Sequence, residues 1–225
     1  MKKYYEAYDQ RYRQAHARGI TLASNTPSPI VEQTLRRLAL PPEARLLELG
    51  CGEGRDAAAL LAQGYDLLAT DVSPAAIAFC QAKYPAWAAR FAVLDCLTGT
   101  LPGRFDFIYA IAVLHMLVLD EDRCRFLAFI REHLAPSGAA LLAVMGDGRE
   151  AFATEPTRAF DLQPRSNNAA GLELCVAATS CRMVTAADFR QELEAAAFHV
   201  EALAPCSIPP DFPTAMYAVI RPLAE

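Results

Sequence analysis

Leu46-Leu47-Glu48-Leu49-Gly50-Cys51-Gly52-Glu53-Gly54-Arg55-Asp56 decides the reading of this chain. A short apolar run, 45–49, ends in three glycines at alternate positions and passes directly into the Ala/Leu-rich segment 55–63. The pattern predicts a buried strand, a tight loop and a helix. Glycine accepts the left-handed backbone of a tight turn and puts no side chain between loop and ligand. The helix behind the loop begins with unpaired N–H groups. A dinucleotide fingerprint, G-x-G-x-x-G, requires glycine at 55, where Arg55 stands, so a nicotinamide dinucleotide is the weaker ligand. Asp71, about 20 residues beyond Gly50 and at the end of the next strand, offers a carboxylate to a ribose diol. Adenosine binding meets both features without a pyrophosphate.

Outward from this loop the chain alternates. Strands are expected at 67–70, 90–94, 105–110 and 139–145, with helices at 75–84 and 121–134. Ser73 and Pro74 supply an N-cap and a first-turn proline. Strands separated by helices give an α/β fold with a mainly parallel sheet and helices on both faces. Two helices fill 1–40, broken by the Ser/Asn/Thr/Pro stretch 24–29. Tyr4, Tyr8 and Tyr12 fall at i, i+4, i+8, on one helical face. After 146–148 the alternation lapses until a helix at 186–197 and strands at 199–204 and 214–220. The expectation is one domain: a helical lid (1–40), a cofactor-binding core (41–147), a cap insertion (148–184), and a last helix with two strands (185–225).

The chain has 225 residues, 53% of them hydrophobic and 21% charged, with a formal net charge of -5. That composition fits a soluble domain with a sizeable core and gives no broad basic face for nucleic acid or an anionic membrane. The opening MKKYYEAYDQRYRQ lacks the apolar stretch of a signal peptide. The longest apolar run, 105–119, contains Asp106 and His115 and is too short to span a bilayer. A cytoplasmic location is expected. Seven cysteines include no CxxC pair, so reduced thiols are expected and no metal site.

These motifs, taken in order, resemble the class I S-adenosylmethionine-dependent methyltransferases over about 40–145. Glu48 with Gly50, Gly52 and Gly54 matches the first family motif, and Asp71 the second. Asp95 in Val93-Leu94-Asp95-Cys96 matches the third. The segment 105–110, ending at Ala110 and continuing through Val113-Leu114-His115-Met116-Leu117, matches the fourth. The turn 134–138 is similar to the one before strand five. The resemblance implies a Rossmann-like sheet of seven strands, S-adenosylmethionine as cofactor and S-adenosylhomocysteine as product. Gly54-Arg55-Asp56 looks like small-molecule members such as the tellurite- and thiopurine-type enzymes. An N-P-P-[YF] tetrapeptide of the amino-methylating DNA and protein enzymes is missing.

The resemblance also implies roles. Glu48 and the loop of Gly50, Cys51, Gly52 and Gly54, with Arg55 behind it, would hold the aminoacyl part of the cofactor. Asp71 would bind the ribose, Asp95 and Cys96 the adenine amino group, and Val72 and Ala110 the rest of the nucleoside's surroundings. His115, at the carboxyl end of strand four, is the candidate base. Tyr12 is placed with it at the reacting centre, because aromatic faces attract a sulfonium. Tyr4, Tyr8 and Arg182 are the expected substrate contacts. His16, His133 and His199 read as structural. Arg158, Arg165 and Arg182 in the cap would suit a carboxylate-bearing metabolite better than Cys175 and Cys181 suit a metalloid. The expected activity is methyl transfer to an O, N or S atom of a small metabolite, by a monomer or homodimer. The alternatives are a non-catalytic S-adenosylmethionine sensor and an NAD-dependent oxidoreductase.

Overall fold

A computed structural model describes residues 3–167 and 172–223. After a 3₁₀ turn at Tyr4–Glu6 come α1 (Ala7–His16) and α2 (Pro29–Arg37), then β1 (Arg45–Leu49), α3 (Arg55–Ala62) and β2 (Asp66–Asp71). Next are α4 (Pro74–Lys83), β3 (Phe91–Val93), β4 (Phe105–Ile111), α5 (Asp120–His133) and β5 (Leu134–Met145). The short strands β6 (Phe152–Ala153), β7 (Leu162–Asn167), β8 (Leu172–Ala177) and β9 (Arg182–Met183) precede α6 (Ala186–Ala195), β10 (Phe198–Ile208) and β11 (Phe212–Pro222). Seven strands form one sheet in the order β3-β2-β1-β4-β5-β11-β10. Only β11 runs against the rest, pairing antiparallel with both β5 and β10.

The cap read from sequence at Ser73 holds, and a second one, at Thr185, adds to it. Ser73 accepts the Ala76 N–H at 3.1 Å, and Pro74 begins α4. Thr185 caps α6 by accepting the Asp188 N–H at 3.1 Å. The sheet is covered on both faces, so its central strands are apolar throughout. Leu47, Leu49 and Ile108 pack on one face with Phe126, Ile130 and Phe189 of α5 and α6. Leu46, Phe107 and Leu141 pack on the other with Leu35 of α2 and Leu60 of α3.

Two expectations needed correction. The turn at 136–138 does not precede β5 but interrupts it: Leu134 pairs with Phe105, and Ala139 with Phe107, so four residues bulge opposite Asp106. The tyrosine stripe also shifts. The helix begins at Ala7 and the 3₁₀ turn before it advances with three residues per turn. That rotation places Tyr5, not Tyr4, with Tyr8 and Tyr12. Tyr4 turns to α5, donating to Asp122 at 2.8 Å and accepting from the Val118 N–H at 3.2 Å.

Helix α1 and the segment between β5 and α6 form one roof over the carboxyl ends of the strands. β7 and β8 make a hairpin, and β6 pairs with β9. Arg11, buried, donates to the carbonyls of Ala177 (2.8 Å) and Ala178 (2.5 Å). Gln14 accepts the Ala177 N–H at 2.8 Å. The roof meets the floor at Asp9, which accepts from the Ser73 hydroxyl (2.8 Å) and the Ala75 N–H (3.0 Å).

Candidate active site

Three adjacent cavities that share lining residues lie between roof and floor. The first, about 670 Å³, lies over the ends of β1, β2 and β3. Tyr5, Tyr8 and Tyr12 form its roof, while Val72, Leu94 and Val113 give an apolar slot with Asp71 and Asp95 as polar ends. The second, about 900 Å³, continues past Gly50 to Glu48, Cys51, Arg55 and His115. The third, about 1240 Å³ and partly open to solvent, leads outward beneath the cap residues Phe152, Thr154 and Glu155. Tyr8 lines all three.

The glycine loop is shaped by close approach as well as by backbone sign. Gly50 has φ +74°, and a Cβ there would sit 2.4 Å from Val113 Cγ2. Gly52 has φ +54°, and its missing Cβ would lie 2.7 Å from the Tyr12 hydroxyl. The N–H groups of Gly50 and Cys51 both donate to Thr70 O, at 2.7 and 2.9 Å, which pins the loop to β2. Gly54 is the N-cap of α3 and packs toward Cys80 and Tyr84 rather than into a cavity. Beyond β4, Ala112 takes φ +59° at the second cavity. A non-glycine residue in that conformation is uncommon.

The two acidic residues at the strand ends differ. Asp71 accepts the Gly52 N–H at 2.9 Å and the Ser73 N–H at 2.8 Å. A carboxylate has about four acceptor sites, so room remains for a diol. Burial pushes the Asp71 pKa up to about 6, against the pull of those two bonds. Asp95 is filled: Lys3 (2.6 Å), Tyr5 (3.1 Å) and Thr98 (3.1 Å) donate to one oxygen and the Leu97 N–H (3.0 Å) to the other. Burial opposes the Asp95 charge, but the hydrogen bonds from Lys3, Leu97 and Thr98 outweigh it and lower the pKa.

Glu48 lies buried and accepts from the Tyr109 hydroxyl at 3.0 Å. Burial, then the nearby Asp56, raises its pKa well above the usual carboxylate range. Arg55 bonds Asp211 and donates to the Ser28 hydroxyl at 3.1 Å. It closes the second cavity as part of an ion-paired wall. Glu53, within the glycine loop, accepts from the Leu22 (2.9 Å) and Ala23 (3.0 Å) N–H groups and meets His16 at 2.8 Å. This clasp ties the end of α1 to the loop.

His115 is 2% exposed and lines the second and third cavities. Its Nδ1 is the one buried side-chain nitrogen or oxygen among the described residues without a hydrogen bond. Burial, then the charge of Arg123, lowers its pKa to about 4, so the imidazole is neutral across the physiological range. Arg123 holds the turn Leu114–Met116 that carries His115. Its guanidinium donates to Leu114 O (2.8 Å) and Leu117 O (3.2 Å) and pairs with Glu192 of α6 at 2.6 Å.

The cavities thus gather Tyr8, Tyr12, Glu48, Gly50, Cys51, Gly52, Arg55, Asp71, Val72, Asp95, Cys96 and His115. Ala110 is buried in the sheet core instead, and Tyr4 binds α5. Arg182 donates to Asp120 (2.5 Å) and Val118 O (3.0 Å) along a groove beside α5 and α6, away from the passage. The Arg165 side chain lies outside the described residues. Cys175 is exposed and Cys181 half-buried, and no group of three metal-ligating side chains occurs among the described residues. Lys3, Tyr5, Arg123 and Glu53 were not expected at the site. Only Tyr5, beside the stripe, carried a sequence signal.

Residues 47–140 match the family model of a methyltransferase domain. That segment covers less than half of the chain, and over it the chain is similar to such a domain. The methyltransferase from Streptomyces caelestis called CcbJ has a similar structure, with TM-score 0.70 at 16% identity over 99% of this chain and 100% of that one. An S-adenosylmethionine-dependent methyltransferase from Clostridium acetobutylicum gives TM-score 0.66 at 13% identity, covering 86% of this chain and 89% of its own. The glycopeptide N-methyltransferase MtfA, solved with S-adenosylmethionine, gives 0.64 at 19% identity, covering 88% and 95%. These likenesses establish the fold alone. A curated relative, hemagglutinin 1 of Eikenella corrodens, is 34% identical over 101 residues, 44% of this chain. The match spans about a third (33%) of that relative's length. No described helix is long and apolar enough to cross a membrane.

Proposed function

We propose that this protein transfers the methyl group of S-adenosylmethionine to an O, N or S atom of a small molecule. The observation that carries the reading is the row of three adjacent cavities with shared walls, from the acids Asp71 and Asp95, past the glycine loop, to His115 and the exterior. The residues fit the cofactor. The apolar slot between acids suits a purine and ribose, Asp71 keeps acceptor capacity, and Gly50 and Gly52 put no side chain of their own beside the cavities where the aminoacyl part would pass. S-adenosylmethionine, when bound, supplies a sulfonium methyl already activated for displacement.

The chain's own residues then have three tasks. Asp71 accepts from the ribose hydroxyls, and Asp95 exchanges Lys3 or Tyr5 for the adenine amino group. Glu48 faces the ammonium, directly or through water. Tyr8 and Tyr12 exclude water and turn aromatic faces to the cation. Alignment of nucleophile and methyl is the largest contribution, on the order of 7–11 kcal/mol. His115, neutral at physiological pH, accepts the proton of a protic nucleophile, which adds roughly 10²–10⁴-fold.

Calorimetric titration with S-adenosylmethionine, S-adenosylhomocysteine and NAD(H) tests this. Binding of the two sulfur compounds alone is expected, with S-adenosylhomocysteine formed when a metabolite mixture is added. Binding without product would favour a sensor. Binding of NAD(H) alone would overturn the reading.

A further inference from the structure

The passage from His115 to the exterior has a chemistry that bears on the substrate itself. Its deep end is lined by His115, whose buried Nδ1 has no hydrogen-bond partner among the described residues. Buried polar groups are nearly always paired, so this one awaits a ligand partner, which is a donor when the ring proton sits on Nε2. The described arginines along the passage already have partners in the protein. Arg11 binds the Ala177 and Ala178 carbonyls, Arg55 pairs with Asp211, and Arg158 pairs with Asp161 at 3.1 Å. This removes the described basis for the arginine-held carboxylate expected from sequence. At the mouth, the Glu155 carboxylate meets no partner among the described residues. It stands with Phe152 and Leu162, 52% and 59% exposed, which are two of the few large apolar side chains left in solvent.

Resting on the methyl-transfer reading above, we propose that the acceptor substrate is an amphipathic amine. Its ammonium meets Glu155 at the mouth, its apolar body covers Phe152 and Leu162, and its nucleophilic O–H or N–H donates to His115. As the nucleophile's lone pair forms the bond to the methyl carbon, the carbon–sulfur pair returns to sulfur. The nucleophile's proton passes to the imidazole and then to solvent. A carboxylate or phosphate at the mouth would face Glu155 and Asp161 with Arg158 already engaged.

The test uses the whole protein saturated with S-adenosylhomocysteine and three probes sharing one phenol: tyramine, 4-ethylphenol and 4-hydroxyphenylacetate. Calorimetry should rank tyramine tightest, about fivefold over 4-ethylphenol as for a partly exposed ion pair, with the acid weakest. Glu155→Gln should bring tyramine to the level of 4-ethylphenol and leave 4-ethylphenol unchanged. His115→Leu should weaken all three about tenfold, while His115→Gln, which keeps an acceptor, should restore most of the loss and controls for folding. Equal affinities, preference for the acid, or no binding of tyramine would overturn the substrate class while leaving the cofactor reading intact. Failure of S-adenosylhomocysteine itself to bind would remove both.

Discussion

The floor and the roof of the site are built in different ways. Floor residues sit at the ends of central strands and are held by backbone. Two N–H groups fix the glycine loop to Thr70 O, and two more orient Asp71. The roof is held by side chains reaching across large sequence separations: Arg11 and Gln14 to β8, Asp9 to α4, Lys3 and Tyr5 to Asp95. Backbone-held groups keep their geometry whether or not a ligand is present. Side-chain clasps open one bond at a time. The difference assigns affinity to the floor and access to the roof, and each variant below sharpens or breaks that assignment.

The largest effect is expected at Asp71. Asp71→Ala removes the acceptor proposed for the ribose hydroxyls and should weaken S-adenosylhomocysteine binding by about 3 kcal/mol, from two bonds to a charged group. Asp71→Asn, which keeps one acceptor and the loop contact to Gly52, should lose less. Calorimetry on folded protein reads both. Wild-type affinity in Asp71→Ala would end the ribose assignment.

That floor was legible in sequence because its signals are local. The strand 45–49, the glycines, Ser73-Pro74 and Asp71 each declare themselves within a few residues, and the parallel order follows from strand–helix alternation. The roof was not. Arg11 has no local signal because its partners, Ala177 and Ala178, lie 166 and 167 residues away. Tyr4 was misplaced because a 3₁₀ turn and a helix share a sequence pattern but not a twist. Arg182 sat in the right segment yet faces Asp120, which no periodicity reveals. Lys3 carried no signal, since one surface lysine reads like any other.

Next in size is the clasp between α1 and the cap. Arg11→Ala removes two charge-assisted bonds, including the one to the carbonyl of buried Ala177, which should cost about 2 kcal/mol. Hydrogen exchange locates the loss. The Ala177 amide, bonded to Gln14, should exchange faster, while Leu47 in β1 keeps its protection. Equal acceleration in both would show that roof and floor unfold as a unit, and the division between them would fail.

A pH titration of binding separates the two acids. Asp71 has its pKa raised to about 6 from 3.8 by burial, in spite of its two N–H bonds and helped by the charge of Asp9. For folding, a raised carboxyl contributes stability that is full below its unfolded value and lost as pH rises through about 6. For binding the sign reverses, because diol donors need the ionised form. Cofactor affinity should therefore be level above pH 7 and about tenfold weaker at pH 5. Asp95, whose pKa is lowered, stays ionised there and adds nothing to the slope. A flat profile from pH 5 to 8 would take Asp71 out of the ribose site.

The smallest effect is expected at Lys3, and it is the one that isolates the roof. Lys3 bonds Asp95 at 2.6 Å from a partly exposed position. The pair is worth at most about 1 kcal/mol. It nevertheless fills an acceptor that the adenine amino group needs, and Tyr5, Thr98 and Leu97 fill the others. Lys3→Ala frees one site without touching the floor. Stopped-flow binding of S-adenosylhomocysteine should show faster association, by two- to fivefold for a latch of this strength. Dissociation should change less, because once the ligand is seated the lysine no longer holds the carboxylate. Global stability should move by less than about 0.5 kcal/mol, as for a surface substitution. If association is unchanged while affinity falls, Lys3 belongs to the binding floor and the Asp95 contact is no latch.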